Sequence, residues 1–410
     1  MAYKNYLKKS LESQREAEAD WSIPTYKTFK DFDNLIHSGE KRIVLDSNYL
    51  LAFGEASEYG EGIDLDVDGL VIDANNHSIS ARKKTRIFNI TGKGITIRNL
   101  VLKDGLREDK GGAIYNRGEA SLIGCVVKDN RLHTYKFIDC YGGAIYNGAE
   151  AKMDLIRCEL FDNYSKDYGG AIQNCGNMNI EFSSFYNNKV IKGGGGAIRN
   201  GGDLTVTRSN LNQNEGRYGG AIYTVDFLDI SRSILNDNRS RMGAAIFNSW
   251  GDVNVSGCVF SSNASYDLYQ VGGAVYTGDR TTFNIMKSKF LRNRATRGSG
   301  GAIAMGEAKV AIADSTFEGN EADTGGGAIS NYSSRLQILD CIFTGNATGS
   351  YGGAIKNYQE TDLYISGSLL DGNTAEERGG AIYSREDFEE VDCIFKDNSP
   401  DDVFRHDIGT

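Results

Sequence analysis

A six-residue motif that recurs through most of the chain constrains the fold more than any other sequence feature. It reads Gly-Gly-Ala-Ile-Tyr-Asn at residues 111–116, the first of eleven related copies that follow one another at intervals of 24–31 residues. A repeat of this length predicts stacked structural units, each of which buries its apolar side chains against its neighbours. The copies begin at Gly111, Gly142, Gly169, Gly195, Gly219, Gly243, Gly272, Gly300, Gly326, Gly352 and Gly379.

Two further signals recur in the repeats and predict β-strands. One is an apolar-x-apolar pair, such as Leu204 and Val206, which only the last copy breaks by placing Glu390 at the second apolar position. The other is an apolar residue followed three positions later by Asn in every copy. Apolar residues with a period of two over short segments are typical of strands. The asparagines are Asn130, Asn163, Asn188, Asn214, Asn238, Asn263, Asn293, Asn320, Asn346, Asn373 and Asn398.

Three short strands in each repeat, with no helices between them, predict the fold class. We expect an all-β protein built as a single-stranded right-handed parallel β-helix, a solenoid with three short strands per coil and about 11–13 coils. The right hand follows from the general preference of parallel crossover connections.

The repeat array also sets the predicted domain limits. Residues 1–48 are predicted to form an N-terminal cap with short helices, because apolar residues between positions 28 and 38 follow one helical face. A cap is needed where the open end of a solenoid would expose apolar side chains and strand edges. Residues 49–398 are predicted to form the parallel β-helix and residues 399–410 a C-terminal tail. The two prolines of the chain lie outside the array, as expected for a residue that cannot donate to a strand ladder.

The tolerance of each repeat position indicates which way its side chain points. The position of Ile114 holds Ile in ten copies and Val275 in the eleventh, so it is predicted to face the core. The next position varies from Tyr115 to Lys356 and is predicted to face outward. The position of Asn116 is predicted to face inward and to form an amide ladder between coils. The paired glycines suit a bend that needs positive φ or close backbone approach.

The seven cysteines are predicted to be free thiols for the most part. Five share a column with six serines, which indicates a small side chain that faces the core. Of these five, Cys125 and Cys158 lie on consecutive coils, where a disulfide is feasible in principle. Cys140 and Cys175 are too far apart along equivalent strands to be bridged. No Cys-x-x-Cys motif is present, so no zinc or redox motif is predicted.

Charge and hydropathy exclude some partners and leave others open. The net charge of −10 does not favour nucleic acid as a partner. There is no run of 18 apolar residues, so no membrane span is predicted. Residues 1–20 are charged and do not show the apolar stretch of a secretory signal. The compartment and the oligomeric state stay open at this point.

The coupled motifs resemble those of a known group of repeat proteins. A Gly-Gly-Ala-Ile segment followed by Phe-x-x-Asn, as at Gly169 to Asn188, is similar to the repeats of polymorphic outer-membrane proteins. It is equally similar to archaeal adhesin-like proteins with right-handed, pectin-lyase-like β-helix repeats. The likeness spans roughly residues 63–398. It implies surface display and adhesion more than catalysis, with a polysaccharide or a cell-surface glycan as partner.

The outward column of the Gly-Gly-Ala-Ile strands contains the candidate binding residues. Rings on consecutive coils lie about 4.8 Å apart, so they can stack on sugar rings or on another protein. The alternative is that half-exposed rings pack on each other, which stabilises a sheet by roughly 0.2–1 kcal/mol per pair. The candidates are Tyr115, Tyr146, Tyr223, Phe247 and Tyr276.

Two charged clusters are weaker candidates. Asp64, Asp66 and Asp68 alternate along one segment and form either a Ca²⁺ cluster or a solvated strand edge. A set of basic residues in the middle loops forms either a site for an anionic glycan or a solvated, salt-screened edge. The basic residues are Lys189, Lys192, Arg239, Arg241, Arg294 and Arg297.

Enzymatic function is the alternative hypothesis, because folds of the pectin-lyase type include polysaccharide lyases and glycoside hydrolases. The Asn-Thr-Asp, Gly-His-Gly and Arg-Ile-Lys signatures of polygalacturonase-like hydrolases are absent from the sequence. Hydrolysis needs a pair of carboxylates at a fixed separation, and the sequence singles out no such pair. We therefore expect a non-catalytic adhesin-like or carbohydrate-binding scaffold, with a lyase or hydrolase as the alternative. No catalytic residue, metal or cofactor is predicted.

Overall fold

The computed structural model describes residues 26–132, 141–278 and 280–405, and nearly every element in this part of the chain is a short parallel strand. Strands pair with their equivalents one coil earlier and one coil later, so they stack into three long sheets. For example, Ile114 lies beside Ile145, and Ile145 lies beside Ile172. The predicted parallel β-solenoid is confirmed.

Each long sheet collects one type of strand from the repeat. Sheet 1 holds 14 strands, of which the eleven from Ile114–Asn116 to Ile382–Ser384 belong to the Gly-Gly-Ala-Ile motif. These strands are Ile63–Leu65, Phe88–Ile90, Ile114–Asn116, Ile145–Asn147, Ile172–Asn174, Ile198–Asn200, Ile222–Thr224, Ile246–Asn248, Val275–Gly278, Ile303–Gly306, Ile329–Tyr332, Ile355–Tyr358, Ile382–Ser384 and Val403–Arg405.

Sheet 2 holds the 14 strands at the position of the apolar-x-apolar pair, which the last strand breaks at Glu390. They are Arg42–Val44, Val71–Asp73, Ile95–Arg98, Glu119–Ile123, Lys152–Ile156, Asn177–Glu181, Asp203–Thr207, Leu228–Ser231, Val253–Ser256, Thr282–Met286, Lys309–Ala313, Arg335–Leu339, Asp362–Ser366 and Glu389–Val391.

Sheet 3 holds 15 strands, of which the eleven from Val126–Lys128 to Ile394–Lys396 precede the recurring Asn. They are Lys27–Thr28, Tyr49–Leu50, Ser78–Ser80, Val101–Lys103, Val126–Lys128, Glu159–Phe161, Ser184–Tyr186, Asn210–Asn212, Ile234–Asn236, Val259–Ser261, Lys289–Leu291, Thr316–Glu318, Ile342–Thr344, Leu369–Asp371 and Ile394–Lys396.

The connections from sheet 3 back to sheet 1 form a fourth side of the molecule, the loop edge. Two-residue strands on this side pair in ladders of four, six and two, an order that the variable loop lengths did not predict. The strands are Leu106–Arg107, Arg131–Leu132, Tyr164–Ser165 and Lys189–Val190; Arg239–Ser240, Ala264–Ser265, Arg294–Ala295, Glu321–Ala322, Ala347–Thr348 and Thr374–Ala375; and Tyr269–Gln270 and Gly298–Ser299.

The stack of about 14 turns is slightly longer than the 11–13 coils predicted. Strand pairing extends past both of the predicted limits of the β-helix, residues 49 and 398. Upstream, Arg42–Val44 pairs with Val71–Asp73. Downstream, Val403–Arg405 pairs with Ile382–Ser384. These outer coils carry no Gly-Gly-Ala-Ile segment, so the motif alone did not reveal them.

The core consists of columns in which one kind of side chain repeats from coil to coil. The Ile column of sheet 1 is buried throughout, as predicted. In sheet 3, four phenylalanines on consecutive coils stack with ring centroids 4.6–4.8 Å apart and nearly parallel planes. Stacking at the coil spacing fills the interior at the density of a protein core. The four are Phe260, Phe290, Phe317 and Phe343.

The recurring Asn after sheet 3 forms a continuous buried ladder. Asn263 is typical: its Oδ1 accepts from the backbone N and from Nδ2 of Asn238, at 3.1 and 3.0 Å. Its own Nδ2 donates to Oδ1 of Asn293 at 2.9 Å and to the carbonyl of Leu235 at 2.9 Å. Every polar atom of the amide is thereby satisfied in the core.

The Asn column of sheet 1 forms the amide ladder that the sequence predicted. Asn116 donates to Asn147 at 2.8 Å, and Asn147 donates to Asn174 at 2.9 Å. Where the repeat has Thr224 in place of Asn, its hydroxyl accepts from Asn200 at 3.1 Å. The hydroxyl itself donates to the carbonyl of Asp226 at 2.7 Å, so it receives the bond from the preceding coil and ends this run of the ladder.

The shared Ser and Cys column faces inward, as predicted. Its hydroxyls accept from the backbone N one coil earlier, as when Ser183 accepts from Cys158 at 3.0 Å. The six described cysteines are free, and Cys125, Cys158, Cys258 and Cys341 are buried. Cys140 lies outside the described residues.

The N-terminal end of the stack is covered by a helix, α1, at Phe29–Ile36. It begins with a capping box, in which Thr28 and Asp31 bond each other's backbone N. Phe32 is fully buried and packs against Tyr49 and Phe88, with centroids 5.0 and 5.7 Å apart. A single 3₁₀ turn follows at Glu55–Ser57. Among the described residues there is no helix with the length and hydropathy required to traverse a bilayer.

Candidate binding groove

The five predicted binding residues all lie in the outward column of sheet 1, but they form two separate groups. Tyr115 and Tyr146 lie on adjacent coils near the N-terminal end, with centroids 5.3 Å apart and planes at 87°. Lys110 lies 4.8 Å from the ring of Tyr146, and the guanidinium of Arg86 lies 5.1 Å from that of Tyr115. These rings are half-buried under basic side chains, so packing occupies much of their surface.

The second group, Tyr223, Phe247 and Tyr276, lies on three consecutive coils. Tyr223 meets Phe247 edge to face at 5.2 Å, and Phe247 stacks on Tyr276 at 5.0 Å with planes 14° apart. Burial is the largest contribution that raises the pKa of Tyr223. Whether either group binds a ligand stays a prediction.

Sequence reasoning missed a second aromatic column beside the first. Tyr168 lies 6.5 Å from Tyr223, and Tyr218 lies 5.1 Å from Phe247. Both immediately precede a Gly pair, a position that holds Tyr in four of the eleven repeats. That recurrence is the signal that would have revealed this column.

A groove of about 830 Å³ opens at the end of the second aromatic group. It arises because the outward position is small in two successive coils, at Ala304 and Ser330, which are both buried. The larger Tyr276 and Lys356 border this depression on the coils before and after it. We call it the sheet 1 groove. Its lining includes Tyr276, Arg297, Glu307, Tyr332, Lys356 and Tyr358.

Tyr332 and Tyr358 supply an aromatic wall of the groove. They lie opposite each other on adjacent strands, with centroids 6.2 Å apart and planes at 22°. Arg385 fixes the second ring: its Nη1 donates to the Tyr358 hydroxyl at 2.9 Å, and its guanidinium lies 4.4 Å from the ring centroid. The two rings are half-buried and keep part of their surface open to the groove.

Lys356 is the half-buried cation of the groove. Its Nζ donates to the carbonyl of Thr324 at 3.1 Å and lies 5.5 Å from the Tyr358 ring centroid. Burial lowers its pKa, and the positive charge of Arg385 adds to this effect. The sequence signal for this site is the run Tyr276, Ala304, Ser330, Lys356 in the outward column, where two small residues separate an aromatic residue from a lysine.

The loop edge differs from the basic strip that the sequence suggested. Acidic residues on neighbouring coils pair with three of the six basic residues. Lys189 pairs with Glu215 at 2.7 Å, and Arg241 pairs with Asp267 at 2.9 Å. Arg294 likewise pairs with Glu321 and Asp323. Much of the positive charge is therefore neutralised, and the edge no longer favours an anionic glycan.

The three alternating aspartates have separate protein partners. Asp64 accepts from Asn89, Asp66 lies 3.1 Å from the Nε2 of His37, and Asp68 accepts from the backbone N of Lys93 at 2.8 Å. Within the described ranges, no three His, Cys, Asp or Glu side chains are grouped as metal ligands. Of the two alternatives for the three aspartates, a Ca²⁺ cluster or a solvated strand edge, these contacts favour the solvated strand edge.

Comparison with known families places the fold. Residues 113–284 match the family described as the right-handed β-helix region. Residues 314–332 and 367–385 match the repeat of the chlamydial polymorphic membrane proteins. The chain is a right-handed β-helix repeat protein. The predicted handedness and the resemblance to polymorphic membrane proteins are thus confirmed.

Other comparisons add little. No curated protein sequence matches this β-helix protein. Among solved structures, it is similar to tailspike protein 3 of bacteriophage CBA120, at 12% sequence identity and a TM-score of 0.42. The match covers 90% of this chain and 61% of the tailspike chain, so this chain spans about three fifths of that protein's length.

Proposed function

We propose that this β-helix protein is a non-enzymatic, adhesin-like carbohydrate-binding scaffold and that the sheet 1 groove is its glycan site. The observation that carries the proposal is the grouping of Tyr276, Tyr332 and Tyr358 around one groove of about 830 Å³. Ligand sites of roughly 300–1,000 Å³ combine apolar and aromatic walls with a few polar groups that orient the ligand. The flat tyrosine rings can pack against the apolar faces of sugar rings. The charged side chains of the groove can form hydrogen bonds with the polar substituents of the sugars.

The stack beneath the groove favours binding because it is already ordered. The groove spans four consecutive coils, from Tyr276 to Lys356. In the same coils, the buried ladder from Asn263 to Asn373 connects each coil to the next. A site held by such a scaffold loses little conformational entropy when a ligand binds.

The composition of the groove supports binding in preference to hydrolysis. Glu307 is the single carboxylate among the described residues that line it. Glycoside hydrolysis generally uses two carboxyl groups on opposite sides of the scissile bond. We therefore expect no release of reducing ends or unsaturated products from pectin, alginate or related glycans, with or without added Ca²⁺. Cleavage by the purified protein that is lost in Glu307→Gln would overturn the non-enzymatic assignment.

The binding role is tested by removing the aromatic wall. The double variant Tyr332→Ala/Tyr358→Ala should weaken binding to any glycan found on an array by about ten-fold or more, because ring stacking is lost. The matched control is Phe161→Ala/Tyr186→Ala, which removes a stacked pair on the outer face of sheet 3, with centroids 4.7 Å apart. Equal loss in both double variants, or no glycan bound by the wild-type protein, would contradict the proposal.

A further inference from the structure

The two cationic side chains of the groove differ from the ion-paired Lys189, Arg241 and Arg294 of the loop edge, although the carboxylate of Asp323 accepts from the backbone N of Arg297 at 2.7 Å. No acidic side chain among the described residues forms an ion pair with Lys356 or with Arg297. Glu377, the acidic group whose field acts on Lys356, accepts a hydrogen bond from Ser350 at 3.0 Å. Lys356 instead uses one donor on the carbonyl of Thr324 and retains further N–H groups. A half-buried ammonium group without a counter-ion favours an anionic ligand.

The backbone leaves space for this lysine. Gly325 lies against the Lys356 side chain, and a Cβ added to Gly325 would stand 2.5 Å from Cδ and 3.0 Å from Nζ of the lysine. Any other residue at this position would therefore press on the side chain. Gly325 has φ +132, which other residues rarely adopt. The position of the Lys356 ammonium group thus depends on Gly325, which lies on the preceding coil.

The charge of the groove is opposite to that of the whole protein. Arg297 and Lys356 outnumber the one carboxylate, Glu307, in the lining of the groove, whereas the chain has a net charge of −10. An acidic polymer is repelled by most of such a surface and attracted at a local cluster of opposite charge. The aromatic wall and the ammonium group lie in the same groove, so one sugar can meet both.

We infer that the groove selects an acidic sugar, whose anionic substituent pairs with Lys356 while its ring packs against Tyr332 and Tyr358. This inference rests on the proposed glycan-binding function. The anionic substituent is either the carboxylate of a uronic acid or a sulfate ester, since both accept charge-assisted hydrogen bonds from an ammonium group. Arg297 adds to the positive potential of the same groove.

The test compares acidic oligosaccharides with their neutral counterparts by calorimetry. The probes are oligogalacturonates and their methyl esters, and sulfated galactan oligosaccharides and their desulfated forms. The wild-type protein should bind one acidic probe about ten-fold or more tightly than its neutral partner. The pair that shows the preference distinguishes carboxylate from sulfate, and the preference should decrease as salt is added.

Two variants connect the preference to the lysine. Lys356→Met should bind the acidic probe about ten-fold or more weakly and leave binding of the neutral probe unchanged. Gly325→Ala should reduce the same preference by displacing the lysine. The matched control is Lys289→Met, which removes an exposed lysine at the outward position of sheet 3 and should change neither affinity.

The outcomes separate this inference from the proposed function. If acidic and neutral probes bind equally, or if Lys356→Met keeps the preference, the inference is overturned while the glycan-binding role stands. If no probe binds and the glycan array is also negative, both are overturned. Circular dichroism of each variant establishes that a loss of binding does not reflect unfolding.

Discussion

The buried Asn ladder shows how one residue type can couple every coil to the next. Each amide uses its oxygen for the preceding coil and its NH₂ group for the following coil and for a strand of sheet 3. Aspartate has no NH₂ donors, and glutamine is one methylene longer. The invariance of Asn among the eleven copies follows from this geometry. The sequence displayed the invariance but not the role.

Asn263→Ala should lower the free energy of unfolding strongly. The change leaves the backbone N and Nδ2 of Asn238 and the carbonyl of Leu235 without their acceptor or donor in the core. Each buried group left unsatisfied costs about 1–3 kcal/mol. Denaturation with guanidinium chloride, followed by circular dichroism, measures the loss.

The matched control is Asn284→Ala on the next coil. Asn284 is exposed on sheet 2 and donates to Asn254 at 3.0 Å. Its loss should change stability by no more than about 0.5 kcal/mol, as is usual for surface substitutions. Similar effects of the two substitutions would contradict the assigned role of the ladder.

The two glycines of each motif meet different physical requirements. The sequence predicted positive φ or close backbone approach for the pair but did not show which glycine meets which requirement. The first has φ between 52° and 74° in all eleven copies, a region that strongly favours glycine. The second is limited by close approach, as when a Cβ on Gly273 would meet the carbonyl oxygen of Gly301. Ala244 occupies the second position in one coil. The position limited by close approach therefore accepts alanine in one coil, whereas the position with positive φ holds glycine in every copy.

At the scale of elements, the strands of sheet 3 contribute an aromatic column to the core. Phe290→Ala should destabilise the protein by about 3–5 kcal/mol, because it removes a fully buried ring with a stacked partner on each side. Phe53→Ala is the control, since that side chain is fully exposed. Thermal denaturation of both variants provides the comparison. A small effect at Phe290 would mean that neighbouring side chains fill the space.

The elements were easier to predict from the sequence than the candidate site. Strands follow from local periodicity, and one good repeat identifies all the others. The groove depends on neighbours that are far apart in sequence, such as Arg297 and Tyr358. The loop edge shows the same limit: Lys189 is basic in the sequence, but its partner Glu215 is 26 residues away. Because the loops differ in length, the sequence does not show which loop residues of neighbouring coils lie side by side. Ion pairs between coils could therefore not be predicted.

At the scale of the whole molecule, the two ends of the described stack differ. Helix α1 covers the first coils, and Phe29, Phe32 and Ile36 are buried beneath it. At the other end, Ile394 is 63% exposed, and the strands Glu389–Val391 and Ile394–Lys396 end their sheets. Solenoids are stabilised mainly by contacts between neighbouring coils, so a terminal coil with one neighbour is the less stable one.

Hydrogen exchange should therefore be uneven along the chain. Amides of Ile394–Lys396 should exchange faster than those of Val259–Ser261, which lie in the same sheet with a coil on each side. Phe32→Ala should speed exchange in the first coils and leave Val259–Ser261 unchanged. Mass spectrometry of proteolytic fragments resolves these segments. Uniform protection along the stack would contradict this expectation.

The direction of the inter-coil hydrogen bonds gives the rod an anisotropic response to force. Because the strands lie across the long axis, the bonds that join them point along it. Tension applied end to end thus breaks one row of inter-coil hydrogen bonds at a time. Each detached coil of about 27 residues can then extend to roughly 90 Å. A load across the rod is shared by many rows. A sugar chain bound from Tyr276 to Lys356 would contact four coils and would oppose their stepwise separation under tension.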